Sequence, residues 1–203
     1  MLTSVLAVFY VIVGYLVGSV CSAVIVCRLF SLPDPRTAGS NNPGATNVLR
    51  IAGPKCAIIV LVADMLKGFL PVFLAKLLGA NTASLSFICL AAVLGHMFPI
   101  FFKFKGGKGV ATALGAFLGF DWLLGAMVLA TWLVVALITR YSSLASLVAI
   151  AFSPFYSLYV VNDMSAFLPL VLIVMAVFYK HHGNILRLTD GTEPKMKLKR
   201  ESS

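Results

Sequence analysis

The sequence predicts an all-α integral membrane protein with seven transmembrane helices, its N-terminus outside and its C-terminus in the cytoplasm. Three observations carry that expectation. Hydrophobic residues make up 60% of the 203 and charged residues only 11%, where a soluble domain carries about 25% charge. The apolar residues come in runs of spanning length. The lysines and arginines gather in alternate connections between those runs. The length suits one domain, residues 1–203. A nucleic-acid binder could share the net charge of +9, but the mean hydropathy of +0.99 argues against nucleic acid as a partner and for membrane lipid.

A crossing helix needs roughly 17–25 mostly apolar residues. The first run covers about 5–27. No Lys or Arg precedes it, so it lacks the basic start of a signal peptide and reads as a retained helix. Within it Gly14, Gly18 and Ser22 repeat every four residues, a spacing that lets helices approach closely, inside one chain or between two. Runs at about 56–78, 83–102, 122–139, 142–161 and 164–180 meet or approach spanning length. The run 109–120 is short, a half-length helix suited to burial among neighbours. Charge argues that it crosses. With seven crossings, Arg28, Arg36, Arg50 and Lys55, then Lys103, Lys105 and Lys108, then Arg140 and the tail from Lys180 all lie inside. Asp121 and Asp163 then lie outside, as the positive-inside rule requires. The basic tail, about 188–203, reads as a solvated segment facing lipid headgroups, above all Lys195-Met196-Lys197-Leu198-Lys199-Arg200. Cys21, Cys27, Cys56 and Cys89 have no metal-ligand spacing and read as reduced apolar thiols.

Three polar segments fall in the expected cytoplasmic connections. The first, Ala38 through Arg50, supplies Ser40, Asn42, Thr46, Asn47 and Arg50: hydroxyls, amides and a guanidinium suited to bidentate phosphate contact. The second, Gly95 through Thr112, interleaves Lys105 and Lys108 with Gly106, Gly107 and Gly109. Glycines let backbone N–H groups turn toward an anion, and a helix starting near Gly109 would aim its positive end at the same place. The spacing is not that of a P-loop. The third, His181 through Leu188, sets His181, Asn184 and Arg187 at three-residue steps on one helical face. Asp64 and Lys67, three residues apart inside a span, must face inward; they pair with each other, or Lys67 reaches the anion site. His96 suits either a site residue or a buried polar anchor. No His, Cys or carboxylate set has metal spacing, so no metal and no cofactor is expected. The cationic surplus gathers on one face and reads as a phosphate site. A transporter of a phosphorylated metabolite is the alternative, but transporter sites lie near the bilayer midplane.

The runs Ser40-Asn41-Asn42-Pro43-Gly44-Ala45-Thr46-Asn47-Val48-Leu49-Arg50, Gly95-His96 through Lys105-Gly106-Gly107-Lys108-Gly109-Val110-Ala111-Thr112, and His181-His182-Gly183-Asn184-Ile185-Leu186-Arg187-Leu188 together resemble one family. It is the acyl-phosphate-dependent glycerol-3-phosphate acyltransferases of bacterial membranes. Asp64-Met65-Leu66-Lys67-Gly68 fits the same resemblance. It implies a multi-pass protein of the bacterial cytoplasmic (inner) membrane, with its active site facing the cytoplasm. The implied reaction moves a fatty acyl group from acyl phosphate to the 1-hydroxyl of sn-glycerol 3-phosphate. Lysophosphatidic acid and inorganic phosphate result, the first step of phospholipid synthesis, with neither acyl-CoA nor acyl carrier protein as donor. Ser40, Lys108, His181 and Asn184 are the catalytic residues by this resemblance. Ser40, Asn42, Thr46, Asn47, Arg50, Lys105, Gly106, Gly107 and Lys108 are expected to bind phosphate, with Asp64, Lys67, His96 and Arg187 in support. The chain reads Ser40-Asn41-Asn42 where the family usually has Ser-Gly-Asn. Asn is the non-glycine residue most tolerant of the left-handed region, so the turn survives.

Overall fold

The computed structural model describes residues 2–196. Lys197, Leu198, Lys199 and Arg200 of the expected basic tail lie outside the described residues. Every regular element among the described residues is helical.

The first apolar run is two helices, α1 (Leu2–Gly18) and α2 (Ser22–Leu29), instead of one. The break frees the Val20 carbonyl, which accepts a hydrogen bond from Lys67 Nζ at 2.8 Å. The small residues of α1 serve contact inside the chain. A Cβ added to Gly18 would stand 2.2 Å from the Ala92 carbonyl oxygen, and one added to Gly95 would stand 2.3 Å from that of Tyr15. Thus α1 packs backbone to backbone on α4 (Thr82–Met97).

Helix α3 (Ala45–Leu77) is broken at Gly53, where φ 77 and ψ −179 depart from helical values. Only glycine adopts that conformation readily, and Pro54 restarts the helix at the position where its missing N–H costs nothing. Residues 45–52 therefore form a separate short helix bearing Thr46, Asn47 and Arg50. Residues 54–77 match the apolar run expected at 56–78.

Helix α5 (Val110–Phe120) has eleven residues, about 16 Å of rise against a hydrocarbon core of about 30 Å. It is short because it packs on protein. A Cβ added to Gly115 would lie 1.9 Å from the Met65 carbonyl oxygen, and one added to Gly68 would lie 2.0 Å from that of Thr112. Lys76 Nζ donates to the Phe120 carbonyl at 2.7 Å, placing a cation on the negative end of the helix. The single residue Asp121 then joins α5 to α6 (Trp122–Thr139). Its carboxylate accepts the N–H groups of Leu123 at 2.8 Å and Leu124 at 3.2 Å, an N-cap that starts the new helix.

Helices α7 (Ser142–Val161) and α8 (Phe167–Lys180) follow, and α9 (His182–Thr189) bends away at 63° from the run that ends at Lys180. Among the described residues five helical runs are long and apolar enough to cross a membrane, and a sixth if the bent pair counts as one. Phe117, Ile88, Met97, Leu124, Ile150, Leu170 and Ile173 fill the core, each fully buried. Cys21, Cys27, Cys56 and Cys89 are buried free thiols.

The polar segments gather at one end of the bundle. Arg36 Nη1 reaches the Phe102 carbonyl at 3.4 Å, tying the α2–α3 loop to the α4–α5 loop. The residues after α9 turn back across the same end. Met196 N–H donates to the Arg140 carbonyl at 2.7 Å, Arg140 Nη2 donates to the Met196 carbonyl at 3.3 Å, and the Lys195 ammonium stands over the Tyr141 ring. Residues 191–196 form a strap docked on the α6–α7 turn, with backbone pairing at Arg140 anchoring its far end while Lys195 stays exposed.

Candidate active site

A cavity of about 670 Å³ opens at this end of the bundle. Its polar wall carries Ser40, Asn42, Thr46, Arg50, Lys108, His181, Asn184, Arg187 and Glu193, and its apolar wall carries Leu61, Met65, Leu114, Leu129 and Trp132. The cavity thus joins a cationic pole to a greasy branch running between α3, α5 and α6.

Asn47 is 1% exposed, and its amide clasps the first loop. Oδ1 accepts the Ser40 N–H at 2.8 Å, while Nδ2 donates to the carbonyls of Pro35 at 3.0 Å and Ala38 at 2.9 Å. Asn47 also lines the cavity, and its hydrogen bonds hold the loop that presents Ser40 and Arg50. Loop shape also rests on left-handed conformations at Gly39 (φ 65) and Asn41 (φ 56). Asn41 does adopt the conformation that glycine usually supplies, and it lies off the cavity wall. Asn47→Ala is expected to lower kcat/KM by about 10²-fold, the scale of a misplaced reacting group, with an unchanged melting temperature excluding gross unfolding.

In the second segment the structure separates Lys108 from its neighbours. Lys108 lines the cavity, whereas Lys105 is exposed beyond it. Gly106 and Gly107 are also off the wall. A Cβ at Gly106 would meet the His96 carbonyl oxygen at 2.0 Å and one at Gly107 the His96 imidazole at 2.2 Å, and Gly107 N–H already donates to the His96 carbonyl at 3.1 Å. These two glycines are needed for close packing against the end of α4. Gly109, at φ 83, is the left-handed residue that starts α5.

Lys108 Nζ donates to Asn184 Oδ1. Asn184 Nδ2 donates to Glu193 Oε1 at 2.6 Å, Ser143 Oγ donates to the same oxygen at 2.6 Å, and Arg187 Nε donates to Glu193 Oε2 at 2.7 Å. Burial pushes the Lys108 ammonium down to about 8, with Arg187 and Arg50 adding to the depression and Glu193 opposing it. Burial alone would raise the Glu193 carboxyl, but hydrogen bonds from Ser143, Asn184 and Arg187 outweigh it and hold the group below its ordinary value. His181 is 3% exposed, and its Nδ1 lies 2.8 Å from the Val177 carbonyl. A carbonyl only accepts, so Nδ1 carries the proton and Nε2 is left as the acceptor.

Beneath this cluster Asp64 and Lys67 form a buried ion pair at 2.7 Å, with His96 Nδ1 3.6 Å from the same carboxylate oxygen. Lys67 spends its ammonium on Asp64 and Val20, so it pairs internally and does not reach the anion site. Asp64 and His96 border the cavity floor. Among the described residues no three His, Cys, Asp or Glu side chains gather as a metal site.

Glu193 and Ser143 were absent from the sequence-derived set. A carboxylate within a basic tail was the available signal for Glu193. Ser143 had none, since a serine in the first turn of an apolar helix is common.

The model of the glycerol-3-phosphate acyltransferase family matches residues 8–191. The chain belongs to the glycerol-3-phosphate acyltransferase family. The glycerol-3-phosphate acyltransferase of Legionella pneumophila strain Corby is 58% identical over 194 residues, 96% of this chain and 70% of that protein. Its namesake in Vibrio cholerae O395 is 51% identical over 191 residues, 94% of this chain and 91% of that protein. Crystal structures of PlsY, an integral membrane glycerol 3-phosphate acyltransferase, share the fold. The glycerol 3-phosphate form superposes with a TM-score of 0.88 at 39% identity, covering 94% of this chain and 96% of that one. The lysophosphatidic acid form gives 0.86 at 38% identity, covering 94% and 95%. This glycerol-3-phosphate acyltransferase is therefore an integral membrane protein, and the family match includes all three polar segments while ending before Glu193.

Proposed function

We propose that this chain is one membrane-embedded domain, residues 1–203, that transfers a fatty acyl group from acyl phosphate to the 1-hydroxyl of sn-glycerol 3-phosphate. It crosses the bacterial inner membrane seven times, with its N-terminus outside and its C-terminus and active site in the cytoplasm. The observation that carries this reading is the single cavity joining a cationic pole to an apolar branch. Each substrate bears a phosphate, and one also bears a fatty chain; the product of the reaction is the same pairing in one molecule. Relatives named for glycerol 3-phosphate acyl transfer, and neighbours crystallised with glycerol 3-phosphate and lysophosphatidic acid, support it. Basic residues at the cavity end support the cytoplasmic orientation.

Arg50 and Lys108 hold the two phosphates with Ser40, Asn42 and Thr46. Positioning of this kind supplies up to about 7–11 kcal/mol of barrier reduction. The glycerol 1-hydroxyl oxygen attacks the acyl carbonyl carbon directly. The new ester C–O bond forms, and the carbonyl–phosphate C–O bond breaks with its electron pair leaving on inorganic phosphate. Phosphate is a good leaving group, so no covalent enzyme intermediate is needed and no cofactor enters. Asn184, held by Glu193, orients Lys108 toward the reacting phosphates. His181 Nε2 takes the hydroxyl proton. His181→Ala is expected to lower kcat by 10² to 10⁴-fold, the usual contribution of general-base catalysis; a loss of only about tenfold would assign the proton to a substrate phosphate oxygen instead.

Purified protein mixed with palmitoyl phosphate and glycerol 3-phosphate is expected to release phosphate only when both are present, and to be inactive with palmitoyl-CoA or acyl carrier protein as donor. Absence of release, together with uptake of glycerol 3-phosphate into proteoliposomes, would point to transport and sink this reading. The position of the cavity's cationic pole at one end of the bundle, where a transporter would carry it near the middle, favours catalysis.

A further inference from the structure

The two tryptophans of the chain sit on the same helix and have different environments. Trp122 opens α6 and is 71% exposed, which suits an interfacial anchor of the ordinary membrane belt. Trp132 lies ten residues further along, half-buried, with its ring on the cavity wall. Its Nε1–H donates to Ser146 Oγ on α7 at 3.0 Å, and Ser146 in turn donates to the Ser142 carbonyl at 2.8 Å. The hydroxyl is thereby turned so that its lone pair faces the indole. An indole N–H placed among apolar side chains needs a partner, and this relay provides one while fixing the ring.

Depth follows from helix rise. Trp132 stands seven residues before the end of α6 at Thr139, about 10 Å along the axis, and Leu129 stands about 15 Å along it. Leu129 and Leu61 line the apolar branch and are also 37% and 41% exposed. The pinned indole therefore lies on the cavity wall between the cationic pole and these partly exposed leucines of α6 and α3. A fatty chain whose phosphate end is held at the cationic pole and whose tail follows the apolar branch passes the ring.

We infer that Trp132, held by Ser146, is a specificity-determining residue that selects the shape of the acyl chain, passing straight chains and rejecting those bent near mid-chain. The inference rests on the acyl phosphate reading above. A fixed ring is a rigid wall. A cis double bond puts a fixed bend in the chain that must pass that wall, where a saturated chain of equal carbon number runs straight. Met65 and Leu114, on other helices, line the same branch with flexible side chains and cannot substitute for a pinned plane.

The test compares stearoyl phosphate with oleoyl phosphate, which differ in that one bend. Wild type, Trp132→Ala, Trp132→Phe and Ser146→Ala are purified and assayed with saturating glycerol 3-phosphate. Trp132→Ala is expected to raise the oleoyl-to-stearoyl ratio of kcat/KM by about tenfold, the lower end of what one misfitting methylene is worth in an apolar pocket. Ser146→Ala is expected to shift the ratio the same way by less, because the ring stays but loses its anchor. Trp132→Phe keeps an aromatic ring but lacks the N–H that anchors it, so its shift should fall between those of Ser146→Ala and Trp132→Ala. The KM for glycerol 3-phosphate should not move in any of them. An unchanged ratio in Trp132→Ala, with that KM intact, would overturn the assignment. So would equal losses on both donors, which mark a purely structural role. Wild type that turns over neither donor would overturn the acyl phosphate reading itself, and this assignment with it.

Discussion

Lys108→Ala is expected to lower kcat/KM by about 10³-fold, the upper range for removing one preorganised charge-stabilising donor, while the protein keeps its melting temperature. Lys108 lies in the α4–α5 loop, outside the helices, and its ammonium stands on the cavity wall bound to Asn184. Arg50 faces the same cavity but does not replace it, since two anionic substrates need both cations. The depressed value of about 8 adds a second, independent reading. The sign is fixed by the chemistry. A lysine holds phosphate only as the ammonium, which predominates below its pKa and is lost above it. In the free enzyme, the Lys108 ammonium should therefore leave kcat/KM level just below about pH 7 and make it fall as pH rises through about 8. Bound phosphate favours the charged form, so kcat should fall at higher pH than kcat/KM. Lys108→Arg should move the alkaline fall of kcat/KM well upward, because guanidinium does not deprotonate in this range. An alkaline limb that survives unchanged in Lys108→Arg belongs to another group.

The largest expected effect on stability comes from Asp64. Asp64→Ala should destabilise the protein by about 3–5 kcal/mol, the cost of leaving a buried partner charge uncompensated. Asp64 is 2% exposed and Lys67 6%, so neither charge has water to fall back on. Lys67→Met should cost a similar amount by stranding the Asp64 carboxylate and releasing the Val20 carbonyl at the α1–α2 break. The double variant Asp64→Ala, Lys67→Met should lose clearly less than the sum of the two, since replacing a buried pair by apolar groups often costs little. Unfolding in detergent, followed by denaturant titration, measures all three. Strict additivity would show that the pair is not an energetic unit.

Much of the helical layout was legible. The apolar runs at 83–102, 122–139, 142–161 and 164–180 correspond closely to α4, α6, α7 and the α8 region, because lipid-facing segments must be apolar over nearly their whole length. Two features were not. The break in α1–α2 has no proline, and it exists because Lys67 takes the carbonyl that the break exposes. The break at Gly53 could be read only once residues 45–52 were seen to fold as a separate helix.

The site shows a similar division. Ser40, Arg50, Lys108, His181 and Asn184 were found from residue type and do share one cavity. Asn47, Gly106 and Gly107 were assigned to phosphate for the same reason; Asn47 lines the cavity while clasping its own loop, and the two glycines pack against His96 off the cavity wall. Residue type names what a side chain can do; it does not say which partner arrives first. For Asn47 the first partners are three backbone groups of its own loop.

By itself the sequence determined the membrane class, the helical runs, the uneven charge and the stock of phosphate-binding chemistry. These are properties of each segment against its solvent, and they add along the chain. Only the tertiary structure decided that Glu193 and Ser143 brace Asn184, that Lys67 is spent on Asp64 and Val20, and that Trp132 looks into the cavity. Those outcomes depend on pairs of groups far apart in sequence meeting within hydrogen-bond distance, and such distances are set by helix packing that no local pattern records.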